Sequence, residues 1–277
     1  MLKTRLITSL LLVTALVASL VYLPPIYWYM MMLSIVSIGA WEWAGMAHFK
    51  KPSKFIYASL ILIPGLLIVF YKPQILPTLI FWGVLVATIF WLVIAPVILI
   101  TKMQIKNRMI FSIIGFAVIL PFGLSMIALK EINPLLLLLF MVAVWIADSA
   151  AFFAGKRFGK HKLAPMISPG KTWEGVIGAW VAVSIYGVLL CYLTKQNYWF
   201  ILVLWGVTVL SIMGDLLESL FKRQAGVKDS GVLLPGHGGV LDRIDGLTSS
   251  MPLVTFLITL PVYYNLYLYI KAVVFHA

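Results

Sequence analysis

Nine long apolar runs, separated mostly by short polar connections, restrict the fold of this chain more than any other feature. The runs cover residues 6–23, 26–46, 55–71, 77–100, 109–129, 134–154, 176–193, 198–217 and 247–270. A helix needs about 20 apolar residues to cross a bilayer core. Hydrophobic residues form 62% of the chain and charged residues 11%, against about 45–50% and about 25% in soluble domains. We therefore predict an all-α, polytopic membrane bundle of about nine transmembrane helices.

The distribution of Lys and Arg predicts the orientation of this bundle. If all nine runs cross the membrane, 17 of the 21 basic residues lie on one side. Basic loops favour the cytoplasmic side, so we expect the N-terminus inside and the C-terminus outside. These loops and anionic lipid headgroups also explain the net charge of +12, and we expect no nucleic-acid partner.

The first run allows a second interpretation. Lys3 and Arg5 precede an apolar core with small residues near Ala18, a pattern shared with secretory signal peptides. The length of the run and the second run directly after it favour a retained helix. We expect one membrane-embedded domain over residues 1–277, with a catalytic half at 131–277.

Residues 214–246 form the most charged segment of the chain. They hold five of the nine acidic residues and four basic ones. Ionisable groups at the edge of a bilayer are costly and usually mark function. A solvated loop with interfacial charges is the simpler alternative, and it suits any one of these residues better than the whole cluster.

Two pairs of carboxylates in this segment have the spacing of one helix face. Asp215 and Glu218 are three residues apart, as are Asp242 and Asp245. Carboxylates, waters and substrate phosphates are the usual ligands of Mg²⁺. Nearby basic residues and two glycines could hold phosphate oxygens. The segment therefore indicates metal-assisted phosphoryl or nucleotidyl transfer. His237 has no definite role, and a zinc spacing is absent.

A second polar loop covers residues 155–175. Its Gly170-Lys171-Thr172 is not a P-loop, because Pro165 stands where that motif needs glycine. We expect a turn at Ser168-Pro169 and a helix start near Thr172, where free N–H groups beside Lys171 could bind an anion. A plain basic loop is the alternative, and it explains residues 156–162 better than residues 168–174.

Two acidic residues lie inside apolar runs. Asp148 shares a face with Ala151 and Gly155, which predicts close helix packing there. Asp148 itself faces either a wet cavity or cation, or a basic partner; both remain open. Glu42, between Trp41 and Trp43, is interpreted as an interfacial residue.

The charged segment resembles the signature of the phosphatidate cytidylyltransferases, or CDP-diacylglycerol synthases. The resemblance rests on Ser219-Leu-Phe-Lys222-Arg223, then Lys228-Asp229, then Pro235-Gly-His237-Gly238-Gly239-Val-Leu-Asp242-Arg243-Ile-Asp245. No position of this 27-residue signature departs from the family pattern. Ser168-Pro-Gly-Lys-Thr-Trp-Glu-Gly175, and Asp148 ahead of Ala-Phe-Phe-Ala-Gly155, are similar to the same family. Residues 1–130 match only as apolar spans.

The resemblance implies that CTP and phosphatidate give CDP-diacylglycerol and pyrophosphate in a divalent-metal-dependent step. It implies Mg²⁺, leaves a second metal ion and a homo-oligomer open, and places the enzyme in the bacterial cytoplasmic membrane with its site facing the cytoplasm. The predicted catalytic residues are Asp215, Asp242, Asp245, Lys222 and Arg223, and the predicted metal ligands are Asp215 and Asp242, then Asp245 and Glu218. The predicted substrate- and phosphate-binding residues are Ser168, Lys171, Thr172, Lys228, His237, Gly238, Gly239 and Arg243, with Asp148 as a further site residue.

Three other classes of protein compete with this interpretation. A transporter would spread its acidic residues along several helices, whereas here they collect at one face. A CDP-alcohol phosphotransferase would need D-G-x-x-A-R, and Asp245-Gly246 is followed by Leu-Thr-Ser-Ser. A polyprenol kinase would also use a nucleoside triphosphate and a lipid, but the signature argues against it.

Overall fold

The protein is a bundle of long helices. The computed structural model describes residues 2–195, 197–233 and 238–275, with side chains for residues 11, 13–195, 197–233 and 238–261. In those residues the helices are α1 (Leu2–Tyr22), α2 (Pro25–Met46), α3 (Lys51–Tyr71), α4 (Leu76–Ile89), α5 (Ala95–Thr101), α6 (Arg108–Ile132), α7 (Pro134–Phe158), α8 (Trp173–Thr194), α9 (Phe200–Gln224) and α10 (Leu241–Phe275). They follow the nine predicted runs in order, so the all-α prediction is confirmed.

Seven helical rods in the described residues are long and apolar enough to cross a membrane. α1 and α2 are not among the seven. Within the described side chains, the apolar part of α1 is Val13–Tyr22. α2 carries three Trp, two Tyr and Glu42, which lower its mean hydropathy. The chain is an integral membrane protein.

The fourth predicted run is one rod with a local change of winding. A short 3₁₀ turn, Pro73–Ile75, leads into α4, and a π-helical turn, Phe90–Ile94, joins α4 to α5. A π turn carries one extra residue per turn and shifts the side chains that follow it. Here it places Trp91 inside the protein, where the residue is 2% exposed.

Polar caps set the starts of three helices. The Asn107 side chain accepts hydrogen bonds from Met109 N and Ile110 N at the start of α6, and Asn133 does the same at the start of α7. Thr172 caps α8 by accepting from Gly175 N at 3.2 Å. Such caps satisfy N–H groups that a helix leaves free. The prediction of a helix start near Thr172 is confirmed.

The connection between α7 and α8 contains a small hairpin. Strands β1 (Lys162–Ala164) and β2 (Ser168–Thr172) pair antiparallel. The turn lies at residues 165–167, so the expectation of a turn at Ser168-Pro169 is wrong. A two-stranded hairpin has only edge strands, which tolerate Pro169. His161 N donates to the carboxylate of Glu174, 3.2 Å from each oxygen, which ties the hairpin to α8.

Aromatic packing joins the N-terminal helices to those of the charged segment. Trp43 of α2 lies 5.0 Å from Phe111 of α6 and 5.5 Å from Phe221 of α9, measured between ring centroids. Trp43 Nε1 also donates to Phe111 O at 2.8 Å. Glu42 precedes Trp43 in the chain and Lys222 follows Phe221. The packing of these rings therefore holds Glu42 and Lys222 at fixed positions.

Candidate active site

The site forms where the C-terminal part of α9 and the N-terminal end of α10 meet the β1–β2 hairpin. α9 presents Asp215 and Glu218 one turn apart, and α10 begins at Leu241 with Asp242 and Asp245 in its first turns. The two carboxylate pairs converge as the spacing predicts. Glu218 interacts electrostatically with both Asp242 and Asp245, across the contact between the two helices.

Lys222 lies between two of these carboxylates. Its Nζ donates to Asp242 Oδ1 at 2.5 Å and lies 3.2 Å from Glu218 Oε1. The side chains of Lys222, Asp242 and Glu218 are 11%, 5% and 7% exposed, respectively. A buried ion that loses its partner is strongly destabilising, so these three side chains hold one another in place.

Glu218 is only partly satisfied by this arrangement. Its contact with Lys222 has the distance of an ion pair but not the alignment of a hydrogen bond, and Glu218 Oε1 has no hydrogen-bond partner in the described residues. Trp91 Nε1 is likewise without one. Both residues line a small cavity of about 10 Å³. That volume is at the lower limit for one water molecule, for which Glu218 Oε1 and Trp91 Nε1 would be polar partners.

Asp242 also holds the loop that precedes α10. Its Oδ2 accepts hydrogen bonds from Ser230 N at 2.9 Å, Ser230 Oγ at 3.0 Å and Gly239 N at 2.8 Å. With Lys222 on Oδ1, four donors meet a carboxylate that has about four acceptor sites. In this arrangement Asp242 orders the loop and Lys222.

Asp215 is more exposed than the two acids that contact Lys222. Its side chain is 38% exposed, and Lys171 of β2 brings Nζ to 2.7 Å from Oδ2. Ser219 Oγ donates to Asp215 Oδ1 at 3.1 Å. Lys171 also donates to Ile212 O at 3.3 Å, which fixes the hairpin on α9. The structure thus brings together two residues predicted from separate loops.

Three acids from three helices share this neighbourhood. Asp148 of α7, Asp215 of α9 and Asp245 of α10 interact electrostatically with one another and with Lys171. Ser211 Oγ donates to Asp148 Oδ1 at 3.2 Å. Asp245 Oδ1 accepts from Gly246 N at 2.8 Å. Asp148 therefore has a basic residue in its surroundings, although no ion pair within 4 Å joins it to Lys171 among the described residues.

These carboxylates are suited to supply part of the donor set of a magnesium ion, and substrate phosphates would supply the rest. Carboxylate oxygens are hard ligands, and Mg²⁺ commonly takes one or two of them with waters and phosphates. Among the described residues, no three acidic, histidine or cysteine side chains form a ready-made metal cluster. Asp215 is half open, whereas Glu218 and Asp242 are turned toward Lys222. Asp215 is thus the best placed of the four predicted ligands.

Arg223 does not join Lys222 at the carboxylates. It lines a separate cavity of about 410 Å³ at the ends of α2 and α9 and the start of α6. The cavity is also lined by His48, Lys106 and Arg108, and no acidic residue lines it in the described part of the chain. Gln224 holds one wall, because it donates to Met103 O at 2.8 Å and accepts from Ile105 N at 3.2 Å.

The other predicted residues are more scattered. Ser168 lies in β2, and Thr172 is buried as the cap of α8. Lys228 and Arg243 are exposed. Gly238 has a φ of +81°, a conformation that L side chains rarely adopt. His237 lies outside the described residues.

Gly239 is a place of close approach, as its sequence context predicts, but the groups that approach it are carboxylates. A Cβ atom there would collide with Ser230 Oγ and both oxygens of Glu42. Its N–H donates to Asp242. The two glycines thus allow Glu42 and Asp242 to reach the backbone of the loop.

Glu42 belongs to the site, which the sequence interpretation did not predict. It is 5% exposed, and it accepts hydrogen bonds from Val240 N and Leu241 N, each at 2.9 Å, and from Ser230 Oγ at 3.0 Å. The neighbouring Trp residues favoured an interfacial position. An acid inside an apolar run is a signal of function in its own right, and applied to Glu42 it would have indicated this site.

Comparison with known proteins places this geometry in a family. The model of the Cytidylyltransferase family matches residues 3–260, nearly the whole chain. The chain belongs to the cytidylyltransferase family. It is 39% identical to the phosphatidate cytidylyltransferase of Pseudomonas aeruginosa, over 91% of this chain and 95% of that protein. It is 32% identical to the protein of the same name from Haemophilus influenzae, over 92% of this chain and 98% of that protein.

A third relative is similar over a shorter stretch. The phosphatidate cytidylyltransferase of Staphylococcus aureus is 48% identical over 121 aligned residues, which cover 42% of this chain and 45% of that protein. The family match begins at residue 3 and includes the spans that hold Glu42 and Trp91. The N-terminal spans, which the sequence interpretation treated as generic, are therefore part of the family pattern.

Proposed function

We propose that this protein is a phosphatidate cytidylyltransferase that joins CTP to phosphatidate at the membrane surface. An oxygen of the lipid phosphate forms a bond to the α-phosphorus of CTP. The bond between the α-phosphorus and the bridging oxygen breaks, and pyrophosphate leaves with that oxygen. The observation that supports this proposal is a cluster of carboxylates at the ends of apolar helices, where Lys171 pairs with Asp215 and Lys222 pairs with Asp242. The membership of the chain in this family supports it as well.

The lipid substrate needs no strong general base in this reaction. A phosphate monoester has a second pKa of about 6, so it is largely dianionic at neutral pH. The obstacle is repulsion between two anions, which positive charge in the site must offset. We assign that task to Lys171, whose ammonium already lies at Asp215 Oδ2, and to a bound divalent cation.

We propose that Mg²⁺ binds at Asp215, with Asp245 and Asp148 as the neighbouring carboxylates. When bound, Mg²⁺ stabilises the charge of the pyrophosphate leaving group. Asp242 and Glu218 act beside it by holding Lys222. Asp242 would bind the metal through Oδ1 only if Lys222 Nζ left that oxygen. We further propose that the site faces the cytoplasm, because both basic loops that build it lie on the side with 17 of the 21 Lys and Arg residues.

The Arg223 cavity suits the nucleotide half of the substrate pair. Its volume of about 410 Å³ falls in the usual range for small-molecule sites. Three cationic side chains and no acidic one in the described lining favour a polyanion over a neutral ligand. Along α9, eight residues separate Arg223 from Asp215, which is about 12 Å at the rise of a helix. We propose that the phosphates of CTP bind between these two points.

A transfer assay with two labelled forms of CTP tests this function. Purified protein in detergent would receive phosphatidate, Mg²⁺ and CTP labelled on either the α- or the γ-phosphate. Nucleotidyl transfer moves only the α-label into the lipid extract, whereas a kinase would move only the γ-label. Asp215→Ala should lose the reaction. Folded wild-type protein that transfers neither label would contradict the proposal and leave a transporter with an ion-binding acidic cluster.

A further inference from the structure

Glu42 connects a helix near the start of the chain to the loop that carries the signature. Its carboxylate is buried, and each of its oxygens is used. Oε1 accepts from Val240 N at 2.9 Å, and Oε2 accepts from Leu241 N at 2.9 Å and from Ser230 Oγ at 3.0 Å. Val240 directly precedes α10 and Leu241 is its first residue, and N–H groups at the start of a helix have no partner within it. Glu42 therefore acts as a cap that comes from a different helix.

The backbone of the loop is shaped around this carboxylate. A Cβ atom on Gly231 or Gly239 would collide with the carboxylate oxygens of Glu42. Each glycine thus allows the main chain to approach more closely than a side chain would permit. The two glycines enclose Glu42 from the two ends of the loop, at residues 231 and 239, and fix the loop relative to α2.

Ser230 links Glu42 to Asp242. Its hydroxyl lies 3.0 Å from Glu42 Oε2 and 3.0 Å from Asp242 Oδ2. A serine hydroxyl has one proton to donate, so the two carboxylates share a single donor. Asp242 in turn accepts from Lys222. The contacts form a continuous path from Glu42 through Ser230 and Asp242 to Lys222.

We propose that Glu42 is a positioning residue for the transfer reaction: through Ser230 and the N-terminus of α10 it sets the position of Asp242 and Lys222. The inference rests on the proposed function, since it assigns Glu42 a part in that same site. A residue that only stabilised the fold would change the amount of folded protein and leave its turnover unchanged. A positioning residue changes the turnover of protein that is folded.

The test compares Glu42→Gln with Ser37→Ala in the full-length protein. Glutamine would keep the shape of the glutamate side chain, but its amide group would face a backbone N–H that needs an acceptor. Loss of a charged acceptor weakens the hydrogen bonds that hold the start of α10, so we expect kcat to fall about tenfold or more. We expect KM for CTP to change by less than about twofold, because Glu42 has no direct contact with substrate. Ser37 is the control, since it is buried in the same helix and its hydroxyl has no partner in the described residues.

Ser230→Ala tests the route. Alone it should also lower kcat, and the Glu42→Gln/Ser230→Ala double variant should lose clearly less than the product of the two single losses. Independent effects that multiply would overturn the route through Ser230. If Glu42→Gln does not fold, Ser230→Ala decides, and a wild-type kcat in that variant would overturn the proposal.

Hydrogen exchange supplies a readout that does not depend on activity. Removal of the charged acceptor should make the amides of Val240 and Leu241 exchange about tenfold faster, while the amides of α6 stay unchanged. Wild-type protein without transfer activity would overturn the proposed function. The exchange rates of Val240 and Leu241 would still test whether Glu42 holds the start of α10. Equal exchange in wild type and Glu42→Gln, or an unchanged kcat in an active preparation, would overturn the inference.

Discussion

At the scale of single residues, the ion pairs of Lys171 and Lys222 differ in how far they are buried. Lys222 is 11% exposed and lies between two acids, whereas Lys171 is 22% exposed and pairs with the more open Asp215. A buried pair is costly to break, and an exposed one is worth little on its own. Lys222 therefore suits a positive charge that stays at one position in the site, and Lys171 suits a charge that can turn from Asp215 to a phosphate.

Lys171→Ala should weaken nucleotide binding more than folding. Loss of one charged contact to phosphate is worth about 1.5–3 kcal/mol, so KM for CTP should rise about tenfold or more. The thermal midpoint should change little, because the Lys171 pair is partly solvated. Initial rates against CTP concentration, together with a melting curve in detergent, check both statements.

Lys72→Ala is the matched control for that substitution. Lys72 is exposed at the end of α3, on the side that the nine-span prediction leaves with few basic residues. Its replacement should leave KM and kcat unchanged. A KM for CTP in Lys171→Ala equal to that of the wild type would show that Lys171 has no contact with the phosphates.

Single residues also show what the spacing of residues in the sequence can predict about the site. The spacing of Asp215 with Glu218, and of Asp242 with Asp245, predicted shared faces, and the structure brings both pairs together. Lys222 and Arg223 were both predicted to be catalytic residues. Adjacent helical residues point about 100° apart, so one meets the carboxylates and the other a different cavity. Which face turns inward depends on packing that a local pattern does not contain.

At the scale of elements, the contact between α7 and α8 depends on small residues. A Cβ atom on Gly175 would lie 2.8 Å from Ala151 O, and one on Gly155 would lie 3.0 Å from Thr172 Oγ1. The close packing predicted from Ala151 and Gly155 is thus confirmed. It sets the hairpin beside α7 and brings Asp148 near Lys171.

Two glycine substitutions test this packing. Gly178→Ala would bring a new Cβ onto that of Ala154, and overpacking of this kind costs about 1–3 kcal/mol. Gly206→Ala meets nothing within 4 Å among the residues described, and alanine in a helix is favoured over glycine by about 0.5–1 kcal/mol. Melting curves should therefore move down for Gly178→Ala and up or not at all for Gly206→Ala. Equal midpoints would mean that α7 and α8 are free to separate.

Long elements were predictable and short ones were not. Apolar length alone determines a membrane helix, because the bilayer requires every backbone group to be paired within the segment. The hairpin has strands of three and five residues, and β2 contains both Pro169 and Gly170. Such a segment has little strand propensity. It pairs because α7 and α8 hold its two ends.

At the scale of the whole molecule, orientation in the membrane remains a prediction from basic residues. Lys51 and Lys72 lie at the two ends of α3 and are both exposed. In intact cells, an impermeant thiol reagent should label Lys72→Cys, and it should label Lys51→Cys only after lysis. The one native cysteine, Cys191, is 2% exposed, so its background should be low. The opposite labelling pattern would invert the proposed topology.

The hydrogen bonds of Glu42 also determine when, during synthesis of the chain, the site can form. They join residues 198 and 199 positions apart in the chain. Chains are made from the N-terminus, so α2 enters the membrane long before its partners are translated. The loop therefore takes its final form only when α10 is in place. A ribosome-bound chain that lacks α10 should leave the Glu42 carboxylate without its two backbone donors and carry out no transfer, so that only completed and fully inserted protein begins to make lipid.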